Sequence, residues 1–484
     1  MNEKIHNLAM YDEFELDGYW WIPGNEDNKF SGTLTYNTDG ITLKILGDFA
    51  DELKFYMTNK YHILHGIIEE NKVVTLYDGF VKTMHIGSVM TKTLIFNQLI
   101  VGAHFNTKDD TMFSSLSVNY SLLENWIGEY PFERFEEHAG EQIEKVGVIY
   151  TFPSSFETYI HKKQTRIKSS HTLKSSTTLY KHFTFNNQAT LDIIPDTSMD
   201  LEWYLDMIRE LQDFLTLMTN RAIYIKQIQA ESDSDSPYEV NNLKNTVYIF
   251  LSPEKKFEEK DFSRHNLHIS YNKIKDNLGI ILNKWFTDSS YSSRKIYLRN
   301  LYDEQIDQEA RFLNYAKSME SFQRDTSGEN GQFLPDNIYE PIKLAMLNSI
   351  QQGTMEKDIY SSLKSKMVNV LDYAHHFGFQ RRIRDMFKGL DERIKDVIFP
   401  GNVAQIKSFA NHVTLTRDYY THYGKKPDYY FKGWELYFVN SKLHIILYYY
   451  FCERLGIEKD IIWHAINNDH TIKQRLKTKT EPTN

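Results

Sequence analysis

The sequence predicts an α+β multidomain protein, with a β-rich N-terminal domain followed by an all-α helical bundle. Three observations carry this. From about Phe14 to Leu251, short β-branched and aromatic runs alternate with turn residues. Beyond about Asp288, apolar residues recur at three- and four-residue spacing instead. At 484 residues the chain is long enough to bury more than one core. The expected division is a β-rich domain over 1–290, an all-α domain over 300–478 and a frayed tail over 479–484.

Gly32–Tyr36 and Ile41–Ile45 alternate in side-chain character around Asn37-Thr38-Asp39-Gly40, which predicts a hairpin turning at Asp39-Gly40. Val73–Tyr77, Thr93–Phe96 and Ser115–Tyr120 repeat the strand texture. One helix interrupts it at about 200–219, with Asp200 as N-cap and Leu205, Ile208, Leu211, Leu215 and Met218 on one face. Ala230–Pro237 is rich in Ser and Asp and predicts an exposed loop, after which Thr246–Leu251 returns to strand. Helical spacing then marks Gln308–Arg324, Glu340–Gln351, Glu356–Phe377, Arg381–Lys395, Val403–Tyr423, Trp434–Leu455 and Lys459–Lys477. Gly and Pro separate these stretches.

Composition removes several classes. The net charge is −9, yet Leu301 to the end carries 25 Lys and Arg against 24 Asp and Glu, so the acid excess lies in the first 300 residues. A chain-wide nucleic-acid coat is excluded, while local basic clefts are not. Arg381, Arg382, Arg384 and Lys388 form one basic patch, and Gln405–Lys432 forms another. Cys452 is the only cysteine, so there is no intramolecular disulfide and no Cys-based zinc site. The longest apolar run, Ile445–Cys452, is far short of a membrane span. No basic segment leading into an apolar core opens the chain, and the expected location is the cytoplasm. Phosphate-loop, dinucleotide, His-Glu-x-x-His and Gly-x-Ser-x-Gly motifs do not occur.

What stands out is Thr416-Arg417-Asp418-Tyr419-Tyr420-Thr421-His422-Tyr423-Gly424. Asn402 offers an N-cap after Pro400-Gly401, and Gly424 with Pro427 offers a stop. The apolar stripe Val403, Ile406, Ala410, Val413 continues through Arg417 to Tyr420, so Arg417 faces inward and needs an anionic partner or a wet cleft. Asp418 and His422 are four apart, close enough for the carboxylate to orient the imidazole. His422 lies in the last turn, where it can give or take a proton near neutral pH. Spacing alone is weak, since 16 Arg and 18 His predict roughly 0.6 Arg-x4-His pairs by chance. A second pair, Arg166 and His171, sits in the Ser-, Thr- and Lys-rich stretch Lys162–Thr178, which reads as strand or exposed loop, and is expected to be a decoy.

These residues resemble a known family. An all-α bundle in the terminal third, with Arg-Asp-Tyr-Tyr-Thr-His-Tyr at a late helix end, is similar to the HEPN ribonucleases and most to their ApeA-like, anti-phage branch. Gly18-Tyr19-Trp20-Trp21-Ile22-Pro23 followed by Gly32-Thr33-Leu34 resembles the opening of that family's N-terminal domain. Phe312–Phe322, with Ala316, Met319 and Glu320, resembles the helix that opens the HEPN portion. Asp418 stands where an Asn is often seen.

The resemblance implies an anti-phage endoribonuclease that needs no metal or other cofactor. Its cut, of RNA with tRNA as a candidate target, would leave a 2′,3′-cyclic phosphate and a 5′-OH and lead to growth arrest or abortive infection. It also implies a homodimer or higher homo-oligomer with the site where two HEPN domains meet, and a β-rich domain that senses a phage-derived trigger. Arg417 and His422 would be catalytic and Asp418 orienting. Tyr419, Tyr423, Lys425, Lys426, Arg381, Arg382 and Arg384 are candidates for holding RNA, the tyrosines by stacking and the basic residues at phosphates.

Other readings stay open at this level. Arg417 can be a helix-end arginine paired with a core carboxylate, the tyrosines can be packing, and the arginines of Gln380–Lys388 a solvated face. Glu320 reads as a surface or capping charge. His375 and His376, adjacent on a helix, should point apart and lack a third metal ligand. Trp20 and Trp21 read as core, with a sugar-binding face as the alternative. The competing function is a non-catalytic, HEPN-like dimerisation or partner-binding protein with a β-rich ligand-binding domain.

Overall fold

The computed structural model describes residues 8–49, 60–88, 90–179, 181–232, 245–252, 262–263, 265–400 and 403–477. The chain divides into two compact units, 1–263 with 270–286, and 264–269 with 287–484.

The first unit is built on antiparallel strands. β1 (Phe14–Trp21), β2 (Phe30–Asn37), β3 (Gly40–Leu46), β4 (Lys60–Ile68), β5 (Lys72–His85) and β6 (Thr91–Phe96) pair in the order β5-β4-β1-β2-β3-β6. β5 is 14 residues long, and its second half pairs with β6, closing a six-stranded barrel without free edges. The predicted hairpin is β2–β3, with Asn37 opposite Gly40 and Gly40 at φ +119°, a conformation only glycine adopts easily. Leu34, Tyr36, Ile41, Leu43, Leu64, Leu76 and Phe96 fill the core. Trp20 belongs to it too: its indole lies over Gly66, where a Cβ would meet the ring at 2.4 Å, and its Nε1 donates to Gly32 O at 3.0 Å. Trp20 and Trp21 are both buried, as the core reading expected, so neither forms an exposed sugar-stacking face.

The first half of β5 instead pairs with Gln98–Val101, from which the sheet continues through Asn245–Leu251, Ile225–Ser232, Leu116–Tyr120, His182–Pro195 and Thr165–Thr178. The helix Leu201–Thr219 is capped as predicted, the Asp200 side chain accepting from Trp203 N at 2.7 Å. Tyr120 OH, donating to Ile208 O, anchors it to the sheet. Ala230–Ser232, expected in a loop, forms the end of a strand paired with Asn245–Val247, because register with its neighbour outweighs its polar composition. The rest of that expected loop lies outside the described residues.

The second unit contains α1 (Tyr291–Tyr302), α2 (Gln308–Ser327), α3 (Asp336–Ser349), α4 (Lys357–Leu371), α5 (Phe379–Lys388), α6 (Glu392–Ile398), α7 (Val403–His422), α8 (Trp434–Arg454), α9 (Lys459–Asn468) and α10 (His470–Lys477). α2 packs against α1, α7 and α8. Its core is aromatic: Tyr297 stacks on His444 at 5.4 Å, and Phe322 and Phe451 meet at 5.6 Å. The helical stretch expected over Arg381–Lys395 is two helices, because Asp391 starts a second one by accepting from Arg393 N. Lys459–Lys477 divides in the same way at Asp469, which accepts from Ile472 N. α3 starts one turn earlier than the spacing suggests, with Pro341 inside it. No helix among the described residues is long and apolar enough to cross a membrane.

Candidate functional site

α7 carries the Arg-Asp-Tyr-Tyr-Thr-His segment on its last two turns. Ile406, Ala410, Val413 and Tyr420 are buried along one face, and that stripe brings Arg417 to a half-buried position. The cap expected at Asn402 lies outside the described residues. At the other end Tyr423, not Gly424, takes the left-handed conformation, at φ +44°, while its N–H still bonds Tyr419 O at 2.7 Å. A tyrosine there is strained by of the order of 1 kcal/mol, and it turns the chain away immediately after His422. The returning segment is pinned back to α7: Phe431 N donates to Thr416 Oγ1, and Tyr420 OH donates to Phe431 O, both at 2.9 Å.

Arg417 is held by two carboxylates. Its Nη2 lies 2.5 Å from Glu320 Oε2 on α2, and its Nη1 donates to Asp418 Oδ1 at 2.9 Å. The Phe379 ring, at the start of α5, lies 5.2 Å from the guanidinium. Burial opposes the charge on Arg417, but Asp418 and Glu320 outweigh it and hold its pKa above the usual value. Glu320 is therefore no surface or capping charge; it answers the anionic partner that an inward arginine requires. Its position on α2 resembles any exposed helix glutamate in sequence, and its partner is 97 residues away, so only the inward placement of Arg417 signalled that some carboxylate must exist.

Asp418 engages Arg417, and no hydrogen bond or ion pair joins it to His422 among the described residues. The guanidinium's full charge competes better for the carboxylate than an imidazole one turn away. His422 is exposed in the last turn. Tyr419 is half-buried in an aromatic cluster, 4.5 Å from Tyr430, whereas Tyr423 is exposed and donates to Glu309 at 3.3 Å. Lys425 and Lys426 are exposed, with Lys426 Nζ over Tyr430 at 5.5 Å.

The three arginines of α5 separate. Arg381 is 3.3 Å and Arg384 3.8 Å from Asp385, so both share that carboxylate. Arg382 turns the other way, its Nη2 donating to His376 Nδ1 at 3.4 Å. His375 and His376 follow α4 rather than lying on it, and their rings come within 4.4 Å instead of pointing apart. His375 is buried and bonded to Asp336 at 2.8 Å. The described residues contain no group of three or more His, Cys, Asp and Glu side chains arranged to hold a metal ion.

The decoy pair stays separate. Arg166 and His171 lie on Thr165–Thr178, where an odd separation puts them on opposite faces of the sheet. Arg166 is exposed and 4.0 Å from Glu157, and burial lowers the pKa of His171.

Residues 15–285 match the family described as ApeA N-terminal domain 1, and residues 313–461 match the Apea-like HEPN family. No curated protein and no solved structure matches the chain. The second match encloses Glu320, α5, Arg417 and His422. The chain belongs to the ApeA-like family, an ApeA N-terminal domain 1 followed by an Apea-like HEPN domain.

Proposed function

We propose that the protein is a metal-independent endoribonuclease of anti-phage defence, with Arg417 and His422 as its catalytic residues. The observation that carries this is an exposed histidine one turn beyond an arginine that two carboxylates hold in a fixed orientation. The ApeA and HEPN domains, which belong to an anti-phage nuclease family, support it.

RNA supplies its own nucleophile, the 2′-OH, so the protein must move protons and stabilise charge. His422 takes the 2′-OH proton or gives one to the 5′-oxygen that leaves, and the products are a 2′,3′-cyclic phosphate and a 5′-OH. Arg417 has N–H donors beyond the two committed to Glu320 and Asp418, and it neutralises the charge that builds on the phosphate oxygens. Asp418 is exposed, and such a pair is worth only about 0–1 kcal/mol, so a phosphate can displace it while Glu320 keeps its hold. Five residues separate the two catalytic positions, about 140° around an ideal helix, which favours a composite cleft completed by a second chain.

A second reading has its own support. The Glu320–Arg417 pair suits an arginine that only ties α7 to α2 in a non-catalytic, partner-binding HEPN module. Incubating the purified protein with total RNA in EDTA separates the two: discrete fragments that disappear with His422→Ala support the nuclease, and intact RNA supports the binding module.

A further inference from the structure

We propose that Arg382 and Arg324 form a second phosphate subsite beside Arg417, which takes an RNA backbone phosphate adjoining the one that is cut. The proposal rests on the ribonuclease reading above and specifies how the substrate strand would be held.

Two guanidiniums flank one carboxylate, and a third approaches from the neighbouring helix. Glu320 Oε2 holds Arg417 at 2.5 Å, and Glu320 Oε1 lies 3.5 Å from Arg324, one turn along α2. Arg382 comes from α5, one turn beyond Phe379, whose ring lies 5.2 Å from the Arg417 guanidinium, and both Arg324 and Glu320 act on its charge. Glu320 is shared, since it pairs with Arg417 and Arg324 while its charge also bears on Arg382. Burial, then His375 and Arg382, lower the pKa of His376, while Asp336 opposes them.

Arg382 is the uncompensated member. Its Nε is buried without a hydrogen-bond partner, and the hydrogen bond that the structure gives it goes to His376 rather than to a carboxylate. Burial and Arg324 both disfavour its charge, more than Glu320 restores. A half-buried guanidinium with an unused donor is costly unless an anion completes it. A phosphodiester fits, since its two free oxygens match the guanidinium fork and its negative charge offsets the cost of burying Arg382. Arg384 Nε also lacks a hydrogen bond, but it and Arg381 have a carboxylate, Asp385, within 4 Å, whereas Arg382 has none that close among the described residues. Arg324 is 65% exposed, so its side chain is free to swing onto the same phosphate.

The test uses a short RNA with one cut site and a methylphosphonate, which carries no charge, placed in turn at each phosphate flanking the cut. For the full-length protein, one flanking methylphosphonate should lower kcat/KM by about tenfold, mainly through KM, as loss of a charge-assisted hydrogen bond predicts. Arg382→Ala should cost a similar factor and make cleavage indifferent to that methylphosphonate. Arg324→Ala, at an exposed position that leaves folding intact, should show the same non-additivity more weakly. Fully additive losses, or insensitivity of the unsubstituted protein to both methylphosphonates, would overturn the subsite while leaving cleavage itself in place. If RNA is not cut at all, the ribonuclease reading fails, and binding of the same oligomers by fluorescence anisotropy still decides the subsite by the same criterion.

Discussion

Glu320 Oε2 and Arg417 Nη2 lie 2.5 Å apart and join α2 to α7, the helix that carries Arg417 and His422. Both side chains are about one-quarter exposed, 27% and 28%. The pair is thus intermediate between surface ion pairs, worth about 0–1 kcal/mol, and buried ones, whose disruption costs about 3–5.

Glu320→Ala should therefore destabilise the protein by about 1–2 kcal/mol and lower Tm by about 2–8 °C. It should also lower kcat on RNA more than it raises KM, since Arg417 loses its orientation while the rest of the binding surface stays. Glu320→Gln keeps an acceptor and should recover most of the stability but only part of kcat. Calorimetry with steady-state kinetics on one oligomer checks both; equal recovery of stability and kcat would mean that the charge has no positioning role.

His422→Ala and Arg417→Ala should each abolish RNA cleavage, with different structural costs. His422 is exposed, so its removal should leave Tm within a degree or two. Arg417→Ala strands Glu320 in a half-buried site and should lower Tm to about the same extent as Glu320→Ala. Arg166→Ala, on a strand of the other unit, should retain activity. An essential Arg166 together with a dispensable Arg417 would place the site elsewhere.

The helical core should make stability fall in acid through His444. Burial, with Arg311 and Arg475 adding to it, pushes this imidazole down to about 3 from an ordinary 6.5. Between those values the unfolded chain binds a proton that the folded chain refuses. The contribution is complete above about pH 6.5 and is lost as pH falls toward 3, at about 1.4 kcal/mol per pH unit. His444→Phe, which suits the ring stack with Tyr297, should flatten that part of the profile. Urea midpoints at pH 4.5, 5.5 and 7 measure it, and identical slopes for the two proteins would contradict the assignment.

Cys452 should be inert in the folded protein. It is fully buried on α8, and burial raises its thiol well above the usual range. A thiol-disulfide reagent such as DTNB should find no reactive thiol in the native protein and one in denaturant. Rapid native reaction would mean that α8 opens readily.

The elements legible in the sequence are those set by neighbouring residues. Asp39-Gly40 between alternating runs specified the β2–β3 hairpin, and Asp200 ahead of a 3–4 stripe specified its helix. α1 was not legible because its buried positions include Ser293, Arg294 and Asn300, so no apolar stripe marks the helix. Barrel closure by β5 was not legible either, since one long strand changes partner midway and nothing local records that. In the candidate site the arginine's inward placement was readable, but Glu320, Phe379 and the separation of Arg382 from Arg381 and Arg384 depend on contacts between helices. Asp391 and Asp469 could have been read as caps dividing two of the longer helical stretches.

The most direct test of the account is the chemistry at the cut. An RNA oligomer and its twin with a single 2′-deoxy residue at the cut position are incubated with the protein in EDTA, and the ends are identified by mass spectrometry. The account predicts a 2′,3′-cyclic phosphate and a 5′-OH from the RNA, no cut at the deoxy position, and neither product with His422→Ala. Efficient cutting at the deoxy position, or undiminished cutting by His422→Ala, would contradict it.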